Sequence, residues 1–439
     1  MSGKEPGRVA DDRQRKDQDS HANDRTLHID RYYDSLPGLL RRFDRVGRQA
    51  AFHGAAAQAT AEQTMEKTST QQTTAQEWMD WRDDLRARLW SLLGLDRMET
   101  CPLTPKLVER SRVRIAEMGG VDGHDVPDGF DSSDNPGAYG DITRDKMLIQ
   151  VEPNVWMPCY VLIPDHPRTG DTGKALCWIC PHGHQGGGKY SVAGVRGIPA
   201  INDAIQRFNY DYGLQLALRG YVTLCPDARG FGERRDRRLQ RDDERSFLRG
   251  TCAQLAHMAE PLGLTVAGML TWDLMRLVDY AAEHGEWDMA SLGCFGFSGG
   301  GMQTLWLAAL DDRVRRAFIS GYMYGVRDSL LTMNGNCSCN YVPGLWNLVD
   351  MGDIGSLIAP RPLVVQSCIE DHLNGARGIV NADEQVAIIR NAYHVLGEDA
   401  QLIHLHAEGG HHFEPAGVWD AIAESDPTSA SPHTTHPTA

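Results

Sequence analysis

The feature that constrains this chain most is the run GFSGGG at residues 296–301, which lies between two apolar stretches. Residues 292–295 before it predict a short strand, and residues 302–310 after it predict a helix. A serine at such a strand-to-helix turn forms a nucleophile elbow, in which the residues two before and two after it must lack bulk. Gly296 and Gly300 meet that requirement. We therefore predict that Ser298 is a nucleophile, held at a helix N-terminus where free N–H groups favour a developing negative charge.

Strand-like and helix-like segments alternate along the second half of the chain. The first two strands, joined by a turn at residues 152–154, are expected to pair antiparallel, and the later apolar strands predict a mostly parallel sheet with helices on both faces. We therefore predict the α/β fold class. The predicted strands are residues 147–151, 155–163, 175–181, 221–225, 291–295, 315–320, 362–366 and 401–406, and the predicted helices include residues 212–219, 265–284, 302–310, 384–395 and 416–423.

Composition divides the chain into four parts. Both ends are hydrophilic and poor in large apolar residues, which predicts disorder. The segment after the first tail contains two helical patterns, at residues 32–46 and from Trp78 onward, and a flexible Gly/Asp-rich insertion at residues 118–145. The predicted parts are a disordered tail (1–26), a helical extension (27–145), a catalytic α/β domain (146–423) and a second disordered tail (424–439).

The charge and hydropathy of the chain exclude some classes of partner. Lys and Arg number 44 and Asp and Glu 59, so the net charge is −15, which argues against nucleic-acid and anionic-membrane partners. The sequence has no apolar run of about 18 residues, and its first 26 residues are hydrophilic, so we expect neither a membrane span nor a secretory signal. A cytoplasmic location is predicted. A homo-oligomer is left open.

The ten cysteines do not form a recognisable metal or redox pattern in the sequence. Cys177 and Cys180 are three residues apart on a predicted strand, so their side chains should point to opposite faces. Cys337 and Cys339 lie in a loop-like stretch and could be reactive, but no zinc-site spacing accompanies them. We therefore predict no metal and no cofactor.

A serine nucleophile needs a histidine base and a carboxylate that orients the base. At the carboxyl ends of two later predicted strands the chain offers both, because Glu370 and Asp371 follow one strand, and His411 and His412 follow another. The order serine, acid, histidine is that of nucleophile-elbow sheets. We predict a triad of Ser298, Asp371 and His411, with Glu370 and His412 as alternatives.

Ester or amide cleavage also needs N–H donors for the oxyanion. The loop HGHQGGGK at residues 182–189 follows a predicted strand, and we place one donor at the backbone N–H of His184 and the other at that of Gly299. The side chains of His182 and His184 are expected to fix the loop. Arg229 is expected to tie a neighbouring loop to this segment, and residues 322–350 are predicted to border the substrate pocket.

Six motifs occur along the chain: HGHQGG (182–187), DARGFG (227–232), GFSGG (296–300), LAALDDR (307–313), IAPRP (358–362) and GGH (409–411). Together they resemble the α/β-hydrolase branch that contains acetyl xylan esterase-like and dienelactone hydrolase-like proteins. The resemblance spans about residues 78–423 and implies the α/β-hydrolase fold, Ser298 as nucleophile, Asp371 as acid, His411 as base, and the N–H groups of His184 and Gly299 as the oxyanion hole. The chain departs from the pattern at Gly299, where such esterases often carry Met or Gln, at Cys368, and in the insertion. The dienelactone hydrolase pattern normally uses a cysteine nucleophile.

The resemblance and the motifs together predict a serine carboxylester hydrolase that needs no cofactor. Its expected substrate, by family analogy, is a small-molecule ester with a short acyl group on a sugar or small alcohol. One alternative is a prolyl oligopeptidase-type peptidase, which would need an N-terminal propeller that the extension is too short to form. Another is a catalytically silent α/β-hydrolase that serves as a binding protein.

Overall fold

The computed structural model describes residues 34–52, 67–118, 136–238, 241, 243–333 and 335–426. The predicted tail at residues 1–26, residues 27–33 and 53–66 of the predicted helical extension, most of the predicted insertion and residues 427–439 lie outside these ranges. Among the helices that are described, none is long and apolar enough to cross a bilayer.

Strands and helices alternate as the sequence predicts. The strands are β1 (Lys106–Val113), β2 (Ile142–Glu152), β3 (Val155–Pro164), β4 (Cys177–Ile179), β5 (Val222–Pro226), β6 (Gly293–Phe297), β7 (Arg316–Ser320), β8 (Leu363–Cys368) and β9 (Leu402–Ala407). The helices are α1 (Leu36–Val46), α2 (Lys67–Leu93), α3 (Ile115–Met118), α4 (Lys189–Val192), α5 (Pro199–Phe208), α6 (Tyr212–Leu218), α7 (Glu244–Phe247), α8 (Cys252–Ala259), α9 (Val266–His284), α10 (Gly299–Leu310), α11 (Leu345–Leu348), α12 (Met351–Ser356), α13 (Ile379–Leu396) and α14 (Val418–Glu424).

Within the described residues, the strands form one nine-stranded sheet with the order β1-β2-β3-β5-β4-β6-β7-β8-β9. The first three strands form an antiparallel meander, and β3 also pairs antiparallel with β5. The remaining pairs, from β5 through β4 to β9, are parallel. The connection after β4 leads to β5 on one side, and the connection after β6 leads to β7 on the other side, so the topological switch point lies between β4 and β6. Open α/β sheets bind ligands beyond the carboxyl ends of strands at such a point.

The core lies on both faces of the sheet. Neighbouring residues of a strand belong to different clusters, as Cys177 and Trp178 of β4 do, because successive side chains point to opposite faces. Cys177 and Cys180 accordingly lie on opposite faces, as predicted. Of the α2 leucines that the helical pattern predicts as buried, Leu85 and Leu89 are fully buried in the larger cluster, whereas Leu92 is partly buried against it.

Helix α9 shows how local sequence sets the boundaries of an element that supports the site. The hydroxyl of Thr265 accepts a hydrogen bond from the N–H of Gly268 and caps the start of the helix. The helix ends at His284, and the next residue, Gly285, has a φ of 77°, a left-handed conformation that glycine adopts without strain. Most of its side chains are buried, and α9 packs against β2 of the sheet and against the N-terminal helix α2.

Two predicted boundaries differ from the structure. The sheet begins earlier than residue 146, because β1 lies inside the predicted helical extension and β2 starts at Ile142, inside the predicted insertion. The second predicted tail begins too early, since the carboxylate of Asp426 binds the hydroxyl of Tyr221 at 2.6 Å and pairs with Arg316. From β2 onward, the order of strands and helices in the structure is otherwise the predicted one. The structure also contains several short helices that were not predicted.

Candidate active site

Ser298 lies on the turn between β6 and α10, with φ of 58° and ψ of −122°. A non-glycine residue at positive φ is strained, and such strain is concentrated at functional turns. The glycines on either side are required by space: a Cβ on Gly296 would lie 2.1 Å from the carbonyl oxygen of Gly300, and one on Gly300 would lie 2.2 Å from that of Pro181. The turn therefore has the tight geometry that the GFSGG motif predicts.

The structure brings Ser298, His411 and Asp371 into one hydrogen-bonded chain. His411 Nε2 lies 2.8 Å from Ser298 Oγ, and His411 Nδ1 lies 2.7 Å from Asp371 Oδ2. A carboxylate can only accept, so Nδ1 carries the imidazole proton and Nε2 accepts from the serine hydroxyl. The three residues follow β6, β8 and β9, whose carboxyl ends lie along the same edge of the sheet.

Packing fixes the orientation of the imidazole and of the carboxylate. The ring of His411 lies 4.7 Å from that of Phe297, measured between centroids. Asp371 is buried, and its Oδ1 accepts a hydrogen bond of 2.8 Å from the N–H of Leu373. The carboxylate therefore has a partner on each oxygen and cannot turn away from the imidazole without losing one.

The two alternative residues are placed elsewhere. The Nδ1 atom of His412 lies 3.0 Å from the carbonyl oxygen of Gly410, and its Nε2 lies 3.5 Å from a carboxylate oxygen of Glu414. The side chain of Glu370 is exposed, and its backbone N–H donates to the carbonyl of Gly409. Among the described residues, neither side chain is hydrogen-bonded to Ser298 or to the His411 imidazole.

The loop at residues 182–189 packs against the start of α10. A Cβ on Gly183 would lie 3.0 Å from the backbone nitrogen of Gly299, so the loop and the helix start are in close contact. The carbonyl of His184 accepts a hydrogen bond from the hydroxyl of Tyr210 at 2.8 Å, which fixes the peptide plane that follows His184. Gly299 is the first residue of α10, where backbone N–H groups have no partner within the helix.

The side chain of His182 fixes this loop through hydrogen bonds, as the sequence predicts. Its Nε2 accepts a hydrogen bond of 3.0 Å from the N–H of Ala228. The ring proton is therefore on Nδ1, which lies 2.7 Å from the carbonyl oxygen of Gly183. Burial lowers the pKa of His182, which keeps the ring neutral. The side chain of Gln303 donates to the carbonyl of His182 at 2.7 Å and joins α10 to the same loop.

A buried ion pair that the sequence reasoning missed ties this loop to the next one. Lys189 Nζ lies 2.7 Å from Asp227 Oδ2 and 2.8 Å from Glu233 Oε1, and both Lys189 and Asp227 are fully buried. Asp227 also accepts from the backbone N–H groups of Lys189 and Glu233. The signal in the sequence is a lysine at the end of a glycine-rich loop and an acid at the start of another.

The predicted role of Arg229 is wrong. Its guanidinium pairs with Asp273 of α9 at 2.7 Å and with Glu152 of β2 at 2.6 Å, and so fastens its own loop to the sheet and to α9. Asp227 and Lys189, together with the contact from His182 to Ala228, make the connection to the His184 loop that was expected of Arg229.

A pocket of about 870 Å³ opens in front of Ser298. As predicted, the segment 322–350 borders it, through Gly335, Asn336 and Cys337. Two exposed arginines, Arg207 and Arg249, also line it, and neither has an ion-pair partner in the part of the chain that the structure describes. The other lining residues are His184, Gln185, Phe208, Tyr210, Phe231, Leu248, Gly250, Phe297, His372, Leu373, Gly410, His411 and His412.

Among the residues that the structure describes, two groups of side chains have ligand atoms close enough to hold a metal ion. One consists of His184, Cys337 and Cys339 beside the pocket, and the other of Asp383, His404 and His406 on α13 and β9. The first group differs from the expectation from the sequence, because Cys337 and Cys339 do have a further potential metal ligand, His184, beside them.

Comparison with solved structures decides the fold. A Bacteroides fragilis protein described as an acetyl xylan esterase superposes with a TM-score of 0.62 at 17% identity, over 87% of this chain and 84% of its own. This chain has the α/β-hydrolase fold. Methylesterase BT1017 shares this α/β-hydrolase architecture with a TM-score of 0.54 at 20% identity, over 89% and 68% of the two chains. A CE15 glucuronoyl esterase from Teredinibacter turnerae gives 0.51 at 16% identity, over 80% and 84%.

Sequence comparison gives a shorter match. A Bacillus subtilis protein described as a hydrolase, YtaP, is 27% identical over 177 residues, which are 40% of this α/β-hydrolase chain and 55% of the relative. The match thus spans about half the length of that relative. No family model matches the chain.

Proposed function

We propose that this chain is a serine carboxylester hydrolase that works through an acyl-enzyme. The observation that carries the proposal is the chain of hydrogen bonds from Ser298 Oγ to His411 Nε2 at 2.8 Å and from His411 Nδ1 to Asp371 at 2.7 Å. A nucleophile, a base and an orienting carboxylate within hydrogen-bond reach are the requirements for acyl transfer by serine. The esterase names of the structural neighbours and the hydrolase relative also support it.

In the proposed mechanism, Ser298 Oγ attacks the ester carbonyl while His411 Nε2 takes the hydroxyl proton. Asp371 holds the Nδ1–H of His411 and stabilises the imidazolium that forms. The backbone N–H groups of Gly299 and His184 are the proposed donors to the tetrahedral oxyanion. Collapse expels the alcohol, which receives the proton from Nε2, and water then repeats the sequence on the acyl-enzyme and releases the acid.

The proposed substrate is a short-acyl ester of a sugar or small alcohol. The pocket volume of about 870 Å³ lies in the range of small-molecule sites, and its lining mixes aromatic side chains with arginine, asparagine and histidine groups that can hydrogen-bond hydroxyls. Two of the neighbours are named as acetyl xylan and glucuronoyl esterases, which favours a carbohydrate ester.

The test is hydrolysis of p-nitrophenyl acetate, longer-chain esters and a peracetylated sugar, together with covalent labelling by a fluorophosphonate probe. Ser298→Ala should abolish labelling and lower kcat/KM by at least about 10³-fold, because the nucleophile is removed. Ser320→Ala is the matched control: it lies at the end of the neighbouring strand β7, and its hydroxyl donates to Gln366 at 2.8 Å. It should retain labelling. A wild type that neither labels nor turns over any ester would favour the binding-protein alternative.

A further inference from the structure

Four potential soft-metal ligands from three separate segments meet beside the pocket. His184 Nε2 lies 3.4 Å from Cys339 Sγ, and the ligand atoms of His184, Cys337 and Cys339 all lie within 4.8 Å of one another. The thiol of Cys252, the first residue of α8, also interacts with the thiols of Cys337 and Cys339, but its Sγ is not among the ligand atoms that all lie within 4.8 Å of one another. We call His184, Cys252, Cys337 and Cys339 the Cys/His cluster.

We propose that the Cys/His cluster is a structural zinc site, with three thiolates and the Nε2 atom of His184 as its ligands. Three cysteines and one histidine are a standard tetrahedral ligand set for Zn²⁺, with bonds of about 2.3 Å to sulfur and about 2.0–2.1 Å to nitrogen. Those bond lengths place a sulfur and a nitrogen ligand about 3.5 Å apart, close to the 3.4 Å between Cys339 and His184.

Polar groups around the cluster suit a thiolate better than a thiol. The side-chain amide of Asn340 donates toward Cys339 Sγ at 3.6 Å and to the Cys337 carbonyl at 3.1 Å. The hydroxyl of Tyr322 donates to the amide oxygen of Asn340 at 2.8 Å, which fixes the direction of that N–H group. Such outer partners orient metal ligands and are part of a metal site.

The burial of the ligands is also typical of a structural site with a route for metal entry. Cys252 and Cys339 are buried, whereas Cys337 and His184 are partly exposed and line the pocket. The four ligands would fill the tetrahedral shell, which leaves no open position for a substrate or water. Binding releases the thiol protons of the three cysteines to solvent, so the site carries a net charge of −1.

Zinc at this position would join the pocket wall to the proposed oxyanion loop. Cys337 and Cys339 belong to the segment that borders the pocket, Cys252 begins α8, and His184 lies on the loop beside Gly299. A histidine that binds zinc through Nε2 keeps its proton on Nδ1, the atom that faces Gly299. The site therefore goes beyond the proposed ester hydrolysis, and its metal content can be measured whether or not the chain hydrolyses esters.

The first experiment is metal analysis of the untagged chain purified without chelator, by inductively coupled plasma mass spectrometry. We expect about one zinc per chain, and less than about a tenth of that in Cys337→Ser/Cys339→Ser, because two of four ligands are lost. Cys101→Ser is the matched control, since Cys101 is a partly exposed cysteine whose thiol contacts the carbonyl of Gln150. His406→Ala tests the surface group on α13 and β9. Both controls should keep the zinc.

A second measurement keeps the proposal testable if the double variant does not fold. The wild-type chain is grown with Co²⁺ in place of Zn²⁺, and its absorption spectrum should show thiolate-to-cobalt charge transfer and the intense visible bands of tetrahedral cobalt. Three results would each overturn the proposal. The first is a chain without zinc, and the second is zinc that is lost in His406→Ala and kept in the double variant. The third is a disulfide within the cluster, detected by intact mass.

Discussion

The imidazole of His184 occupies the space that a side chain at Gly299 would need. A Cβ on Gly299 would lie 2.6 Å from His184 Nδ1 and 3.2 Å from the Cα of Gly183. A side chain at position 299 would therefore fit only if the His184 ring moved. The two proposed oxyanion residues are thus coupled through their packing.

Gly299→Ala should displace the His184 ring and with it the loop that carries one proposed oxyanion donor. Misplacing one donor is expected to lower kcat/KM on p-nitrophenyl acetate by about 10²-fold, mostly in kcat. Gly38→Ala is the control, because a Cβ there meets nothing within 4 Å. Unchanged kinetics in Gly299→Ala would show that the loop tolerates the shift and that the donors lie elsewhere.

Asp371→Asn should reduce kcat by about 10⁴-fold while the chain stays folded, because an amide in that place favours the wrong imidazole tautomer. The neighbouring Glu370→Gln changes an exposed carboxylate and should leave kcat within about twofold. The measurement is steady-state kinetics on the same ester, with thermal unfolding as a check of the fold. A larger loss in Glu370→Gln than in Asp371→Asn would exchange the roles of the two acids.

The ion pair of Lys189 and Asp227 should matter for stability far more than an exposed pair. Lys189→Met leaves the buried carboxylate of Asp227 without its cation, and breaking a buried pair in this way costs about 3–5 kcal/mol. Arg88→Met removes one partner of an exposed pair with Asp84 on α2 and should cost less than about 1 kcal/mol. Urea denaturation of both variants would measure the two free energies of unfolding.

The sequence reasoning found the three residues of the hydrogen-bonded chain because each follows a strand of a parallel sheet. Strand ends along one edge of such a sheet meet in space, so residues far apart in sequence can be placed together from the order of elements alone. The elbow glycines were predictable for a local reason, since the turn leaves no room for a Cβ.

Features set by long-range packing could not be read from the sequence in this way. Strand β1 is an edge strand whose first five residues are exposed, so it lacks the apolar pattern that marks a strand. Arg229 pairs with Glu152 and Asp273, which come from distant elements and have no fixed spacing from it. The Cys/His cluster likewise has its ligands on three segments.

The carboxylate of Glu233 should make the stability of the chain depend on acid pH. Burial alone would raise the pKa of Glu233, but Lys189, Lys146 and Tyr190 lower it from 4.5 to about 2. A carboxyl with a depressed folded-state pKa stabilises the fold above its unfolded pKa, and that contribution is lost as the pH falls from about 4.5 to about 2. Glu233→Gln should therefore lower the Tm at pH 7 and show a smaller further loss of Tm on acidification.

Glu370→Gln is the control for Glu233→Gln, because it removes an exposed carboxylate from another loop. Its Tm should follow that of the wild type between pH 7 and the acid limit of folding. If Glu233→Gln also follows the wild type across that range, the three neighbouring groups do not stabilise the charged carboxylate, and the acid sensitivity of the fold comes from other acids.

The two arginines of the pocket should make the chain prefer esters that carry a negative charge. Arg207 and Arg249 are exposed and line the pocket, and within the described residues neither is paired with a carboxylate, so both guanidinium groups are free to bind one on a substrate. The wild type should hydrolyse the mono-p-nitrophenyl ester of succinic acid with a higher kcat/KM than p-nitrophenyl butyrate, which has the same chain length without the charge. Arg207→Gln/Arg249→Gln should lower the ratio of the two kcat/KM values by about tenfold, mainly through a higher KM for the charged ester.

The preference should also weaken in high salt, because interactions of exposed charges are screened over about 3 Å at 1 M ionic strength. Arg88→Gln, which changes an arginine on α2 that is not among the pocket residues, should leave the ratio of the two kcat/KM values unchanged. If the wild type hydrolyses the neutral ester faster at all salt concentrations, the arginines do not face the bound acyl group. They would then lie beside the leaving alcohol, and the next substrate to test would be an ester with an anionic alcohol.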